Sequence, residues 1–125
     1  MTGASAGLHE DADKLKPETI DRHRAIVSLM EELEAVDWYD QRIDAAEDDE
    51  LRAILVHNRD EEKEHASMLV EWLRRRDVTF EHELETYLFT EGKITELEKS
   101  AQAGNSGVPA SDVSLGIGSL KGGDA

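Results

Sequence analysis

The sequence predicts an all-α protein: an antiparallel helical hairpin plus a short C-terminal helix, the hairpin being half of a four-helix bundle completed by homodimerisation. Three observations predict this. Between Gly7 and Gly92 lie 84 residues with no glycine and one proline, Pro17, and a stretch so poor in backbone breakers and rich in Glu, Leu, Ala and Arg reads as helix. Two rows then alternate steps of 4 and 3, the spacing of a packed helix seam: Ala25, Leu29, Glu32, Val36, Tyr39, Ile43, and Leu51, Leu55, Asn58, Glu62, His65, Leu69, Trp72. Each row is apolar at its ends and polar at its middle, which one hairpin has no means of burying alone.

The elements follow in chain order. Residues 1–16 read as a flexible N-terminal segment. A first helix is expected over about residues 17–44, with Pro17 at a first helical position, where its missing N–H costs nothing, and Glu18 complementing the dipole. A turn at about residues 45–49 leads to a second helix over about 48–76. Its start carries Glu47, Asp48, Asp49 and Glu50 and its end Arg74, Arg75 and Arg76, the polarity a macrodipole prefers. A third, shorter helix is expected from near Thr79 to Gly92, with a last turn or two from Ile94 to Leu97. The helical half-bundle thus spans 17–100. From Ala101 the composition shifts to Ala, Gly, Ser, Asn and Pro, so residues 101–112 read as a flexible linker. Residues 113–125 break that pattern, placing Val113, Leu115, Ile117 and Leu120 back into a polar tail. Small aliphatics separated by glycine suit an extended peptide that inserts side chains into a partner's grooves.

Composition excludes several functions. Acidic residues number 29 against 14 basic, a formal net charge of −15, which repels nucleic-acid backbones and anionic membranes and favours cations. The absence of cysteine rules out thiolate zinc sites, disulfides and Cys nucleophiles. No apolar run approaches the roughly 20 residues needed to span a bilayer, and Met1 to Glu10 lack the pattern of a secretory signal, leaving a cytoplasmic protein as the default.

The polar middles of the rows carry the candidate chemistry. Glu32 pairs with Glu62 about a midpoint of 47 and with His65 about one of 48.5, both inside the expected turn. In an antiparallel hairpin rising about 1.5 Å per residue, the three side chains share one level. Buried carboxylates cost several kcal/mol each unless compensated. A structural polar layer that fixes register is one compensation, but no Lys or Arg sits in either row at that level; Arg24, Arg42 and Arg59 are a turn or more away. A metal is the other. Glu62-Lys63-Glu64-His65 is a Glu-x-x-His pair, and di-iron carboxylate bundles use two such pairs plus two single Glu. One chain carries half of that set, so a symmetric dimer completes both the bundle and the site. Trp72 follows its row as a core residue, and Tyr39 follows the other, where packing and a role at the site are equally open readings. His9, His23 and His82 have no partner spacing. Glu18, Glu31, Glu47, Glu50 and Glu71 fall outside the rows, where a solvated face is expected.

The run from His23 to Arg42, with Glu31-Glu32-Leu33-Glu34 and Trp38-Tyr39, then His57 to His65, Glu71-Trp72-Leu73-Arg74-Arg75 and Tyr87-Leu88-Phe89-Thr90-Glu91-Gly92, resembles the encapsulated ferritins of the ferritin-like superfamily. Ser114 to Lys121 is similar to the peptide by which such cargo docks inside encapsulin shells. The resemblance implies a ferroxidase that oxidises Fe(II) with dioxygen, dimers with a di-iron site across their interface, and an open ring of five dimers, a decamer. It implies iron ligands Glu32, Glu62 and His65 from both subunits, with Tyr39 close by. An entry site is implied at Glu31, Glu34 and Trp38, and an outer metal site at His57, Glu61 and Glu64, with calcium or other divalent cations at these secondary positions. The oxidised iron is then stored in the lumen of an encapsulin nanocompartment in a bacterial or archaeal cytoplasm. Two other readings stand beside this one. A non-catalytic metal-binding or scaffold cargo uses the same polar layer for register. A rubrerythrin-like peroxidase lacks its cysteine-rich part here.

Overall fold

A computed structural model of the chain describes residues 7–105, which are helical with no strand among them. A short 3-10 turn, Ala12–Lys14, precedes four α-helices: α1 (Pro17–Ala45), α2 (Asp49–Arg76), α3 (Val78–Tyr87) and α4 (Ile94–Asn105). The chain divides into two compact units at Arg76 and Asp77.

The first unit is the hairpin. Pro17 opens α1 at its first turn, as its locked φ and missing donor favour. The three residues 46–48 reverse the chain. Asp48 then starts α2 by accepting a hydrogen bond from the Leu51 N–H at 2.8 Å, so one otherwise orphaned donor is satisfied. Arg52 closes the turn from the other side. Its guanidinium donates to the carbonyls of Ile43, at 3.3 Å, and Ala46, and its cation sits where the α1 dipole is negative.

α1 and α2 pack on each other, and Arg59 of α2 pairs with Asp40 of α1 at 3.0 Å. The predicted rows form the contact. Ala25 is buried and Leu29, Val36, Tyr39 and Ile43 are half-buried, as are Leu55, Leu69 and Trp72; Leu51, at the row's end, is exposed. Ala66 and Leu73 lie just beside the second row and are buried. Among the described residues no large side chain is fully buried, whereas Trp38, Ile54 and Met68 of the hairpin stay exposed. Two helices cannot enclose a core; they can only share one.

The second unit is the pair α3 and α4, which pack together. Asp77 caps α3, accepting from the Phe80 N–H at 3.0 Å. α3 stops at Tyr87, short of the expected end at Gly92. Leu88 turns extended, with ψ 143°, and the Thr90 hydroxyl donates to the Tyr87 carbonyl at 2.5 Å beyond that point. Phe89 then adopts a left-handed φ of 59°. α4 is longer than the one or two turns expected and absorbs residues 101–105 of the expected linker. Ala101, Gln102 and Ala103 are strong helix formers, and a composition reading that weighed them as linker undervalued this. The remainder of the linker and the aliphatic tail lie outside the described residues. No described helix is long and apolar enough to cross a membrane.

Candidate metal centre

Glu32 comes from α1, and Glu62 and His65 from α2. The short turn and the shared steps of 4 and 3 bring them together near the middle of the hairpin. His65 Nδ1 lies 3.2 Å from Glu62 Oε1, to which it donates, and 3.7 Å from Glu32 Oε1. One ligating atom from each residue falls within 4.8 Å of the other two. Glu32 and Glu62 keep 26% and 24% of their side-chain surface and His65 keeps 44%. The cluster is therefore partly sunk in the seam and open on one side.

Its electrostatics follow from that geometry. The Glu32 carboxyl is raised above its ordinary value, first by the hydrogen bond it shares with Glu62, then by burial and the Glu62 charge. Glu62 is lowered, chiefly by that same hydrogen bond and by His65. His65 is raised, first by its bond to Glu62 and further by the charges of Glu32, Glu62 and Glu64. The hydrogen bond between the two acids and the imidazole beside them are one way to compensate this set without help from Lys or Arg. A divalent cation is the other way to satisfy this set. Hard carboxylate oxygens with one imidazole suit iron, and binding displaces the protons.

The other sequence-predicted residues are placed as follows. Glu31 is exposed and Glu34 half-buried, on α1 beside the centre, and Trp38 is exposed. His57 Nε2 meets Glu61 Oε2 at 3.1 Å, whereas Glu64 does not join them in a set of three ligating atoms. Among the described residues Glu32, Glu62 and His65 are the one group of three or more that does so. Arg59 pairs with Asp40 and Asp60, not with the cluster. Sequence reasoning missed Arg42, whose guanidinium lies over Tyr39 at 5.5 Å and Trp38 at 5.9 Å. The signal was available in the spacing, since residues three and four apart on a helix are neighbours.

Known proteins resemble this chain over most of its length. A family model described as EncFtn-like matches residues 7–91. The chain is 61% identical over 130 residues to the encapsulated ferritin-like protein of Rhodospirillum rubrum, covering 98% of this chain and 93% of that one. It is 39% identical over 51 residues to the encapsulin nanocompartment cargo protein EncC of Myxococcus xanthus, 41% of this chain and 39% of that one. Among solved structures, the crystal structure of protein ne0167 from Nitrosomonas europaea matches with a TM-score of 0.69 at 61% identity. That match covers 70% of this chain and 97% of the other.

Proposed function

The chain belongs to the EncFtn-like family, and from that premise we propose that it is a ferroxidase, oxidising Fe(II) to Fe(III) with dioxygen at a two-iron site between two copies. The observation that carries the reading is the convergence of Glu32, Glu62 and His65 within 4.8 Å on an open side of the hairpin. One copy supplies a Glu and a Glu-x-x-His pair; two copies supply the complete set of a two-iron carboxylate bundle.

In this reading Glu62 bridges the two substrate irons, and Glu32 and His65 of each copy are terminal ligands. Bridging holds the irons close enough to share one dioxygen, and the small number of protein ligands leaves positions open to it. Each ferrous ion gives up an electron and leaves as ferric product. Tyr39 closes the centre on its turn side. Glu31, Glu34 and Trp38 lie beside the centre as an entry route, where clustered charge raises the local cation concentration. His57 and Glu61, which meet at 3.1 Å, supply an outer site for calcium or another divalent ion, with Glu64 standing apart from them in a single copy. Dimers join into a ring, a decamer, that does not enclose mineral. Ferric product therefore passes to the lumen of an encapsulin shell, to which Ser114 to Lys121 anchors the chain.

Aerobic addition of ferrous iron tests this. The wild-type chain is expected to oxidise it faster than buffer alone, and Glu32→Ala, Glu62→Ala and His65→Ala each to bring the rate to that of buffer. A scaffold cargo that keeps the polar layer only for register leaves the iron unoxidised in every case.

A further inference from the structure

The centre accounts for every polar position in the α2 row except one. The row runs Leu51, Leu55, Asn58, Glu62, His65, Leu69, Trp72, and Asn58 is the polar member left over. It lies well inside α2 and is half-buried. Asparagine is a poor choice there on two counts. It forms helix interiors less readily than Leu or Ala, and a half-buried carboxamide gives up part of its contact with water. Hydrogen bonds normally offset that cost. Among the described residues the Asn58 carboxamide makes none.

Its place in the helix sets what it can reach. Asn58 precedes Glu62 by four residues, so the two side chains are neighbours on one face. The other nitrogen donors nearby are spent or face elsewhere. Arg59 also lies within a turn of Glu62, but its guanidinium is held by Asp40 at 3.0 Å and Asp60 at 3.2 Å. Lys63 is exposed, and adjacent helix positions do not face one another.

In the metal-free hairpin Glu62 has other partners. It shares a hydrogen bond with Glu32, and His65 Nδ1 donates to it at 3.2 Å. Those bonds and a metal ion exclude each other, because the ion takes the imidazole lone pair and displaces the protons. Glu62 then loses both groups that orient it. Ligating carboxylates are themselves held by outer hydrogen bonds, and losing such a bond weakens a site by about ten- to a hundredfold.

Resting on the ferroxidase reading above, we infer that Asn58 is a positioning residue for Glu62: its Nδ2–H donates to the Glu62 carboxylate once iron replaces the bonds to Glu32 and His65. The amide is idle in the empty hairpin and engaged in the loaded one. Being neutral, it orients a bridging carboxylate without competing with the cations for its charge. Its lack of a partner raises the free energy of the empty state alone, which favours loading.

The test uses the full chain with Co(II), a redox-inert stand-in for Fe(II), reading affinity and ligand geometry from its visible absorption. Urea unfolding of the metal-free chain is read alongside. Asn58→Leu removes the amide at similar volume. It is expected to raise the urea midpoint of the metal-free chain, weaken Co(II) binding by about tenfold and shift the absorption band. Asn58→Ala, the residue a helix accepts most readily, repeats the comparison without adding bulk. Asn58→Gln, with the same donor on a longer arm, is expected to recover most of the affinity. Affinity and band unchanged in Asn58→Leu and Asn58→Ala assign the amide to packing alone. A metal-free chain made less stable by both shows that the amide already has a partner in the empty hairpin. Either result, or Asn58→Gln binding no better than Asn58→Leu, overturns the inference and leaves the ferroxidase reading intact. Co(II) bound equally by Glu62→Ala and the wild type removes Glu62 from the centre and overturns both.

Discussion

Glu32, Glu62 and His65 were legible as single residues because each is an ionisable group in the polar middle of a row with apolar ends, at a matched height. Their pairing in space follows from the turn alone. Partners that sit on exposed faces were not legible in the same way. Glu71 reads as one more solvated acid, yet it accepts from Arg74 Nε at 2.7 Å and from Arg75 Nε at 2.7 Å, and these two cations lower it to about 2. A sequence row records which side faces the seam and says little about which exposed groups meet. The sign of the consequence is fixed. A carboxyl lowered in the folded state adds stability above its unfolded value, near 4.5, and loses it as pH falls toward 2. Glu71 is 42% exposed, so solvent screens the pair. Glu71→Gln is expected to cost about 0.5–1 kcal/mol at neutral pH and almost nothing at pH 2, read from urea unfolding at both pH values. An equal cost at the two values excludes the ion pairs as its source.

At the scale of elements, α1 and α2 were legible to within a residue or so because propensity, dipole polarity and spacing agree over some thirty residues each. α3 and α4 were not, because their ends are decided by single groups. An extended Leu88 and a left-handed Phe89 end one, and helix formers from Glu98 through Ala103 prolong the other past Leu97. The turn between α1 and α2 shows the same dependence on single groups, with a larger consequence. It sets the register that brings residue 32 level with residues 62–65. Asp48 holds its α2 side through the Leu51 N–H, and Arg52 its α1 side through two carbonyls. Asp48→Ala is expected to cost about 1 kcal/mol in denaturant unfolding, the usual effect of losing an N-cap. Asp48→Asn, which keeps the acceptor, is expected to restore most of it. A variant whose alanine and asparagine forms are equally stable excludes capping by this side chain.

The whole molecule divides its tasks along the chain. On the ferroxidase reading proposed above, the helical part supplies a half-centre and a half-core that a second copy completes. Metal binding and association are then expected to be linked, each drawing the other forward. Leu115, Ile117 and Leu120 stand among glycines and serines and follow a polar spacer, a pattern that suits insertion into the grooves of a partner. Oxidation and docking should accordingly separate. Deleting Ser114 to Ala125 is expected to abolish loading into a co-expressed encapsulin shell, read by co-purification, while the deleted chain oxidises iron at the wild-type rate. Loading that persists assigns the docking to the helical part, and oxidation that falls with the tail removed shows that the half-centre is completed by more than a second hairpin.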